Sequence, residues 1–357
     1  MPRVSVVIPN FNYGRYIGET IDNVVRQTFA DWELIVVDDN SSDDSRQVVI
    51  ERIRRYPDRQ ISLAVNHNGP SGTPTPINIG IRQMRGDYFA WLSSDDIFEP
   101  EKLEAQIRVF ETRPELALVH TAYTTIDDGG VQTGSFYPPG EFESDAFSAL
   151  LDGNFINGNT VLIRREVIED IGPFLETDPR YPDLWRAAEY YHWLKIAWKY
   201  PIHCIQLPLH RSRRHPGNAG YNSSAMGSAL ERMLIRRFFA EHDVRVTPEM
   251  IVALSGRGLA SLALEFCMRM PPADRQQALA FLAELEADQE SWDIGCYEGI
   301  RKLDNGRIRT AFRASTAIER RAMLQAVAQL ERPQTGPYRK AALARLAKMD
   351  AEEKCHA

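Results

Sequence analysis

Cysteine is scarce and scattered. Only Cys204, Cys267, Cys296 and Cys355 occur, and their spacing suits neither a zinc site nor a disulfide framework, which leaves reduced, incidental thiols. Long apolar runs are missing as well: none approaches the roughly 18 residues that span a bilayer. Met1-Pro2-Arg3 leads at once into a strand pattern without signal-peptide architecture, so a cytoplasmic protein is expected. Positive charge is in deficit, and a formal charge of −7 argues against nucleic-acid binding. No Gly-x-Gly-x-x-Gly follows the first strand, where Pro9-Asn10-Phe11-Asn12-Tyr13-Gly14 stands instead, and this argues against a dinucleotide-dependent oxidoreductase.

What is present is ordinary for a globular chain: 357 residues, 43% hydrophobic and 25% charged, enough for one large α/β domain with an appendage. Val4-Ser5-Val6-Val7-Ile8-Pro9 reads as a strand, and Tyr16 to Gln27 as the helix after it. Strands over 33–37, 61–65 and 88–92 alternate with helices over 42–55 and 75–84. Such alternation predicts a doubly wound, mostly parallel, Rossmann-like sheet whose ligand loops lie at the strand C-termini. Further on, a helix over 100–111, a strand over 117–125, a Gly/Pro/Asp-rich loop over 127–145, a short strand over 160–163 and helices over 165–171 and 186–199 are expected. Beyond about residue 223 Ala, Leu, Arg and Glu dominate, and helices are expected near 226–241, 249–268, 273–290, 308–330 and 337–350. The expected division is a domain over 1–222, with halves 1–120 and 121–222, followed by a helical domain over 223–357.

Two apolar strands run straight into paired acids. Val36-Val37 precedes Asp38-Asp39-Asn40-Ser41-Ser42, and Trp91-Leu92 precedes Ser93-Ser94-Asp95-Asp96. Asn and Ser here can cap the next helix, but two carboxylates exceed what a cap requires. A carboxylate at such an edge matches the N3–H donor of uracil, while Pro9, Asn10, Phe11 and Asn12 would offer backbone and an aromatic face beside the base. Adjacent Asp95 and Asp96 suit a hard cation bridging two phosphates.

These stretches, with Gln27-Thr28-Phe29, Trp32-Glu33-Leu34-Ile35 and Gly86-Asp87-Tyr88, resemble the nucleotide-binding half of the family 2 glycosyltransferases, which share the GT-A fold. The resemblance implies an inverting, divalent-metal-dependent transferase that uses a nucleotide-diphosphate sugar. It places Asp39 on the base, Asp95 on the ribose or sugar, and Asp96 on Mn²⁺ or Mg²⁺. Two departures stand out. Ser93-Ser94-Asp95-Asp96 replaces the Asp-x-Asp-Asp of many members, and Pro76-Ile77-Asn78 replaces Ala-Arg-Asn.

A looser likeness continues from about 158 to 222. Ala188-Glu189-Tyr190-Tyr191-His192-Trp193-Leu194-Lys195 aligns with the family's acidic helix start, which puts Glu189 at the catalytic-base position; Asp183, before Leu184-Trp185, is the runner-up. Arg211-Ser212-Arg213-Arg214-His215-Pro216-Gly217-Asn218 resembles the closing basic segment, in which Arg211 and Arg214 would face a diphosphate and His215 would join the metal. A UDP-sugar is the expected donor and surface-polysaccharide or glycoconjugate assembly the expected setting, with a saccharide, lipid-linked or protein acceptor left open. The rival reading is a nucleotide-binding assembly module without turnover. Residues 301–357 carry 13 Lys and Arg against 6 Asp and Glu. The basic stretch 338–348 accordingly leaves self-association, partner binding and peripheral membrane contact as readings of the tail, beside simple support of the catalytic domain.

Overall fold

The computed structural model describes residues 1–138, 145–176, 184–218 and 224–244, with scattered positions as far as 254. The helices expected beyond 254, the basic stretch 338–348 and the runner-up Asp183 lie outside the described residues. The chain divides into two compact units, Met1–His242 and Asp243–Ala357. Among the described residues no helix is long and apolar enough to cross a membrane.

The first half forms as its pattern dictates. Strands β1 (Val4–Asn10), β2 (Trp32–Asp38), β3 (Ile61–Val65) and β4 (Tyr88–Trp91) alternate with helices α1 (Gly14–Val25), α2 (Ser45–Arg55) and α3 (Pro74–Gln83). The strands pair in parallel, with β1 between β2 and β4 and β3 outside β2. Strand β1 is apolar at consecutive positions because both its faces are covered. Val4, Val6 and Ile8 join a core with Ile17, Ile21 and Val24 of α1. Val7 points the other way, onto α3. There a side-chain carbon on Gly80 would lie 2.4 Å from Val7, so only glycine lets that helix pack so close.

Past β4 the sheet ceases to be parallel. Strand β5 (Ile97–Phe98), helix α4 (Lys102–Thr112), strands β6 (Leu118–Ile126) and β7 (Gln132–Phe136), helix α5 (Ala146–Asp152), strand β8 (Leu162–Arg164), helices α6 (Arg165–Ile171) and α7 (Ala188–Lys199), strand β9 (Ile202–Arg213) and helix α8 (Ser224–Glu241) follow. The order β3-β2-β1-β4-β8-β6-β9-β5, with β7 beside β6, makes one mixed sheet. Strand β8 is antiparallel to both β4 and β6; β9 runs parallel to β6 and antiparallel to β5.

The expectation of a mostly parallel, doubly wound sheet therefore holds for β1–β4 and is corrected beyond them. The expected loop over 127–145 contains β7, which turns back on β6 through the Asp127–Gly130 bend. Strands β5 and β9 and helix α5 had no expectation. Helix α5 starts on Asp145, whose carboxylate accepts the backbone N–H of Ser148 at 3.0 Å. Helix α8 follows residue 222 yet packs within the first unit: Phe238 lies against Phe147 of α5 and against Tyr191 and Trp198 of α7.

Candidate active site

The C-terminal ends of β1, β2 and β4 open into a cleft of about 1640 Å³. Pro9, Asn10, Phe11, Asn12, Asp39, Asp95, Asp96, Glu189, Arg214 and His215 all line it. Ordinary ligand pockets hold roughly 300–1,000 Å³, so this one has room for two substrates side by side.

Asp38 and Asp39 part company. Asp38 is buried and turned from the cleft: it accepts Asn10 Nδ2 at 3.0 Å, the Ser41 backbone N–H at 3.0 Å and Arg46 Nε at 2.6 Å. Burial alone would raise its carboxyl, but the bonds from Ser41, Arg46 and Asn10 hold it below the ordinary value. It ties β1 to the start of α2. Asp39 faces the cleft and organises the loop after β3, receiving Asn66 Nδ2 at 2.6 Å and the Ser71 backbone N–H at 2.7 Å. Asn12 sits in the left-handed region (φ 58°) and its side-chain oxygen accepts the Ser42 backbone N–H at 2.8 Å, which turns the β1 loop back on the β2 loop. Phe11, 38% exposed, stands at the mouth.

Asp95 and Asp96 are both buried. Thr20 of α1 holds their turn from below, its hydroxyl donating to the carbonyls of Ser94 (2.8 Å) and Asp96 (3.1 Å). Asp96 receives the Arg213 backbone N–H at 2.7 Å and lies 3.2 Å from His210 Nε2. Asp95 receives Asn218 Nδ2 at 2.7 Å and lies 3.1 Å from His215 Nε2. Because the Gly217 N–H donates to His215 Nδ1, the proton of this imidazole sits on Nε2 and points at Asp95. The ring is stacked on Tyr16 at 4.9 Å. Burial, and next the neighbouring charge of Asp96, push the Asp95 carboxyl up to about 7.

That pair has the chemistry of a hard-cation site: adjacent buried carboxylates whose mutual repulsion a positive charge would relieve. Among the described residues no three metal-ligating side chains converge. A divalent cation would thus draw its remaining ligands from water and substrate phosphate, as Mg²⁺ commonly does. The residues fit on those terms, with Asp96 and Asp95 as the holders.

Glu189 opens α7, one turn after Trp185, and shares the cleft. Asn154 Nδ2 donates to its Oε1 at 3.4 Å, and the Gly158 backbone N–H also donates to its carboxylate. Gly158 is wedged between two groups: an added side-chain carbon would lie 2.4 Å from the Trp91 ring and 2.8 Å from Glu189 Oε2. Burial is the main reason that the Glu189 carboxyl is raised to about 7, and Glu231 of α8 pushes the same way.

Of the two arginines expected at a diphosphate, Arg214 lines the cleft while Arg211 does not. Arg211 pairs with Glu99 through Nε at 2.5 Å and Nη2 at 2.9 Å. Sequence reasoning passed over Arg213 between them. Its buried guanidinium donates to the Asp95 and Asp128 carbonyls and to Glu19. His210, Asn218, Asn66 and Ser71 were missed too. All but Asn66 and Ser71 sit on or after β9, and recognising 202–213 as a strand would have brought His210 and Arg213 to the acidic pair.

The family model described as Glycosyl transferase family 2 matches residues 5–172. An Escherichia coli protein, UDP-Glc:alpha-D-GlcNAc-diphosphoundecaprenol beta-1,3-glucosyltransferase WfgD, is 30% identical over 194 residues, covering 54% of this chain and 69% of that protein. The chain belongs to glycosyltransferase family 2. A glycosyltransferase of Rickettsia felis is 32% identical over 222 residues, 60% of this chain, and one of Nostoc 33% over 177 residues, 48% of this chain. The chain spans 34% and 53% of the lengths of these two relatives. Among solved structures, S. aureus TarS superposes with a TM-score of 0.53 at 16% identity, over 95% of this chain and 50% of TarS. TarS 1–349 in complex with UDP gives 0.51 at 15%, over 100% of this chain and 92% of that one. The shared architecture is the GT-A fold.

Proposed function

We propose that this protein transfers a sugar from a nucleotide-diphosphate sugar, a UDP-sugar, to an acceptor hydroxyl with inversion at the anomeric carbon. One observation carries the reading: Glu189, with a carboxyl raised to about 7, shares a single cleft with the buried pair Asp95 and Asp96. A general base works best with a pKa near the working pH, and burial supplies that here.

In this reading Asp39 accepts the base N3–H while Phe11 offers a face, and Asp95 takes the ribose or sugar hydroxyls. Glu189 removes the acceptor proton as the acceptor oxygen bonds to the anomeric carbon, and the glycosidic electron pair leaves with the diphosphate. Asp96, beside Asp95, would hold Mn²⁺ or Mg²⁺, which when bound would neutralise charge on the leaving diphosphate. Arg214 adds a second positive group on that side, and the His215 imidazole keeps Asp95 oriented. The name of the WfgD relative favours a lipid-linked saccharide acceptor and a place in surface-glycan assembly. Such acceptors would meet a cytoplasmic protein at the membrane face, and the basic stretch 338–348 is the segment suited to dock there.

The test is calorimetry of UDP and GDP, with and without Mn²⁺, followed by turnover of a UDP-sugar panel by the wild type and Glu189→Gln. Preferential, metal-supported UDP binding together with turnover that collapses in Glu189→Gln is the expected result. Binding without turnover on any donor and acceptor would leave a nucleotide-binding assembly module instead.

A further inference from the structure

The Pro76-Ile77-Asn78 departure leads into the wall behind the base. Ile77 is fully buried, so this position sends no cation into the cleft. Asn78 is buried too and does not line the cleft. Its amide meets a segment from the other half of the unit in both directions: Nδ2 donates to the Phe174 carbonyl at 2.9 Å, and Oδ1 accepts the Phe174 N–H at 2.9 Å. The same Nδ2 lies 2.9 Å from Glu176 Oε1. A side-chain amide thus takes the place of a strand partner for an isolated stretch of backbone, whose buried N–H and C=O need one.

The pinned residue is the hub of the base's surroundings. The Phe174 ring stacks on His192 at 3.8 Å and 10°, and His192 lies three residues after Glu189 on α7. It meets Trp193 edge-on at 5.9 Å and Trp91 edge-on at 6.0 Å. Trp91 in turn abuts Gly158, which abuts Glu189. Both contact routes from Phe174, along α7 and through Trp91, end at the same carboxylate.

We infer that Asn78 is a positioning residue for Glu189: by clamping the Phe174 backbone to α3 it fixes the seat of the base against the donor side of the cleft. This rests on the reading of Glu189 as the base. Loss of the clamp leaves two buried backbone groups unpartnered, loosens Phe174 beneath α7 and opens the wall side of the carboxylate to more water. Better solvation favours the ionised form, so the carboxyl must titrate lower. Among the described residues Glu231 of α8 also raises this carboxyl, and Tyr123 of β6 feels its charge.

The readout is the Glu189 carboxyl itself, followed by ¹³C NMR in full-length protein labelled on glutamate, its resonance identified by its loss in Glu189→Gln. The wild-type midpoint is expected at about 7. In Asn78→Ala it should fall by about one unit or more toward the ordinary value, while calorimetric UDP binding stays unchanged. UDP release from UDP-glucose or UDP-N-acetylglucosamine should slow roughly tenfold in kcat without a higher donor KM. Should Asn78→Ala not fold, the ring truncation Phe174→Leu carries the same expectation. A midpoint that stays at the wild-type value in folded variants overturns the inference. If the midpoint falls while Glu189→Gln keeps full turnover, the clamp stands and the assignment of the base falls.

Discussion

The two halves of the first unit, which the proposed function assigns to donor and acceptor, are built by different rules. Strands β1 to β4 come from local repeats, each strand pairing in parallel with neighbours that the alternation itself implies. The acceptor half is assembled from pairings distant in sequence: β8 inserts between β4 and β6, and β9 between β6 and β5. Its key contacts cross more than a hundred residues, as His210 to Asp96 and Arg213 to Asp95 do. In the proposed reading, recognition of the nucleotide sits on a locally specified scaffold, and the base sits where the chain returns to it.

Substitutions should divide along that line. Glu189→Gln, in the acceptor half, is expected to lower kcat by roughly 10²–10⁴, the usual worth of a general base, with UDP affinity unchanged by calorimetry. Gly158→Ala is expected to cost about 10²-fold in turnover, because its methyl group would collide with Trp91 and displace Glu189, again without loss of UDP binding. In the donor half Asp39→Ala should act the opposite way. Losing a charged acceptor is worth about 1.5–3 kcal/mol, so the UDP Kd should rise some ten- to hundredfold while kcat at saturating donor changes little. If Asp39→Ala lowered only kcat, or Gly158→Ala only affinity, the division would be wrong.

The pH profile sharpens the same contrast. A base must be ionised, so kcat should rise with pH through about 7 as Glu189 loses its proton, and the rise should vanish from the residual rate of Glu189→Gln, which separates it from Asp95, raised to the same value. UDP binding through Asp39 should show no step attributable to Glu189. A flat kcat profile from pH 6 to 8 would remove Glu189 from the rate. The smallest functional effect belongs to Asp38→Ala. It breaks the bonds to Asn10, Ser41 and Arg46, and since Arg46 is partly exposed, a loss of about 2 kcal/mol in denaturant stability is expected, with Glu189-dependent chemistry intact.

The same difference governs how much could be read beforehand. In the first half element boundaries fell within a few residues, and Asp39, Asp95 and Asp96 drew attention because each lies in the turn just after a buried strand. The likeness singled out Glu189 as an acid at a helix start, and that residue does stand near the start of α7 and line the cleft. What escaped notice depends on tertiary pairing. Strand β9 carries Pro208 and irregular register against β6, so no clean alternation announces it, and the run 211–218 reads as a basic loop. In a run of Arg-Ser-Arg-Arg nothing local distinguishes Arg211, bound to Glu99, from Arg213, buried beneath Asp95. Asp38 and Asp39 look equivalent in sequence too, and their partners separate them: Asn10, Ser41 and Arg46 for the one, Asn66 and Ser71 for the other.

The place of Arg213 has a consequence for biosynthesis. Its guanidinium joins α1, the acidic turn and the bend after β6, while its backbone N–H completes the shell of Asp96. A chain emerging from the ribosome presents the residues of β1 to β4 long before residue 213 appears. Through that interval Asp95 and Asp96 lie side by side without the histidine, arginine and asparagine that later surround them. The nascent domain must wait, with its central acids uncompensated, for a strand that threads between two already made. High sequence separation of this kind makes closure late and slow, so the contacts of the last third of the unit are expected to form last.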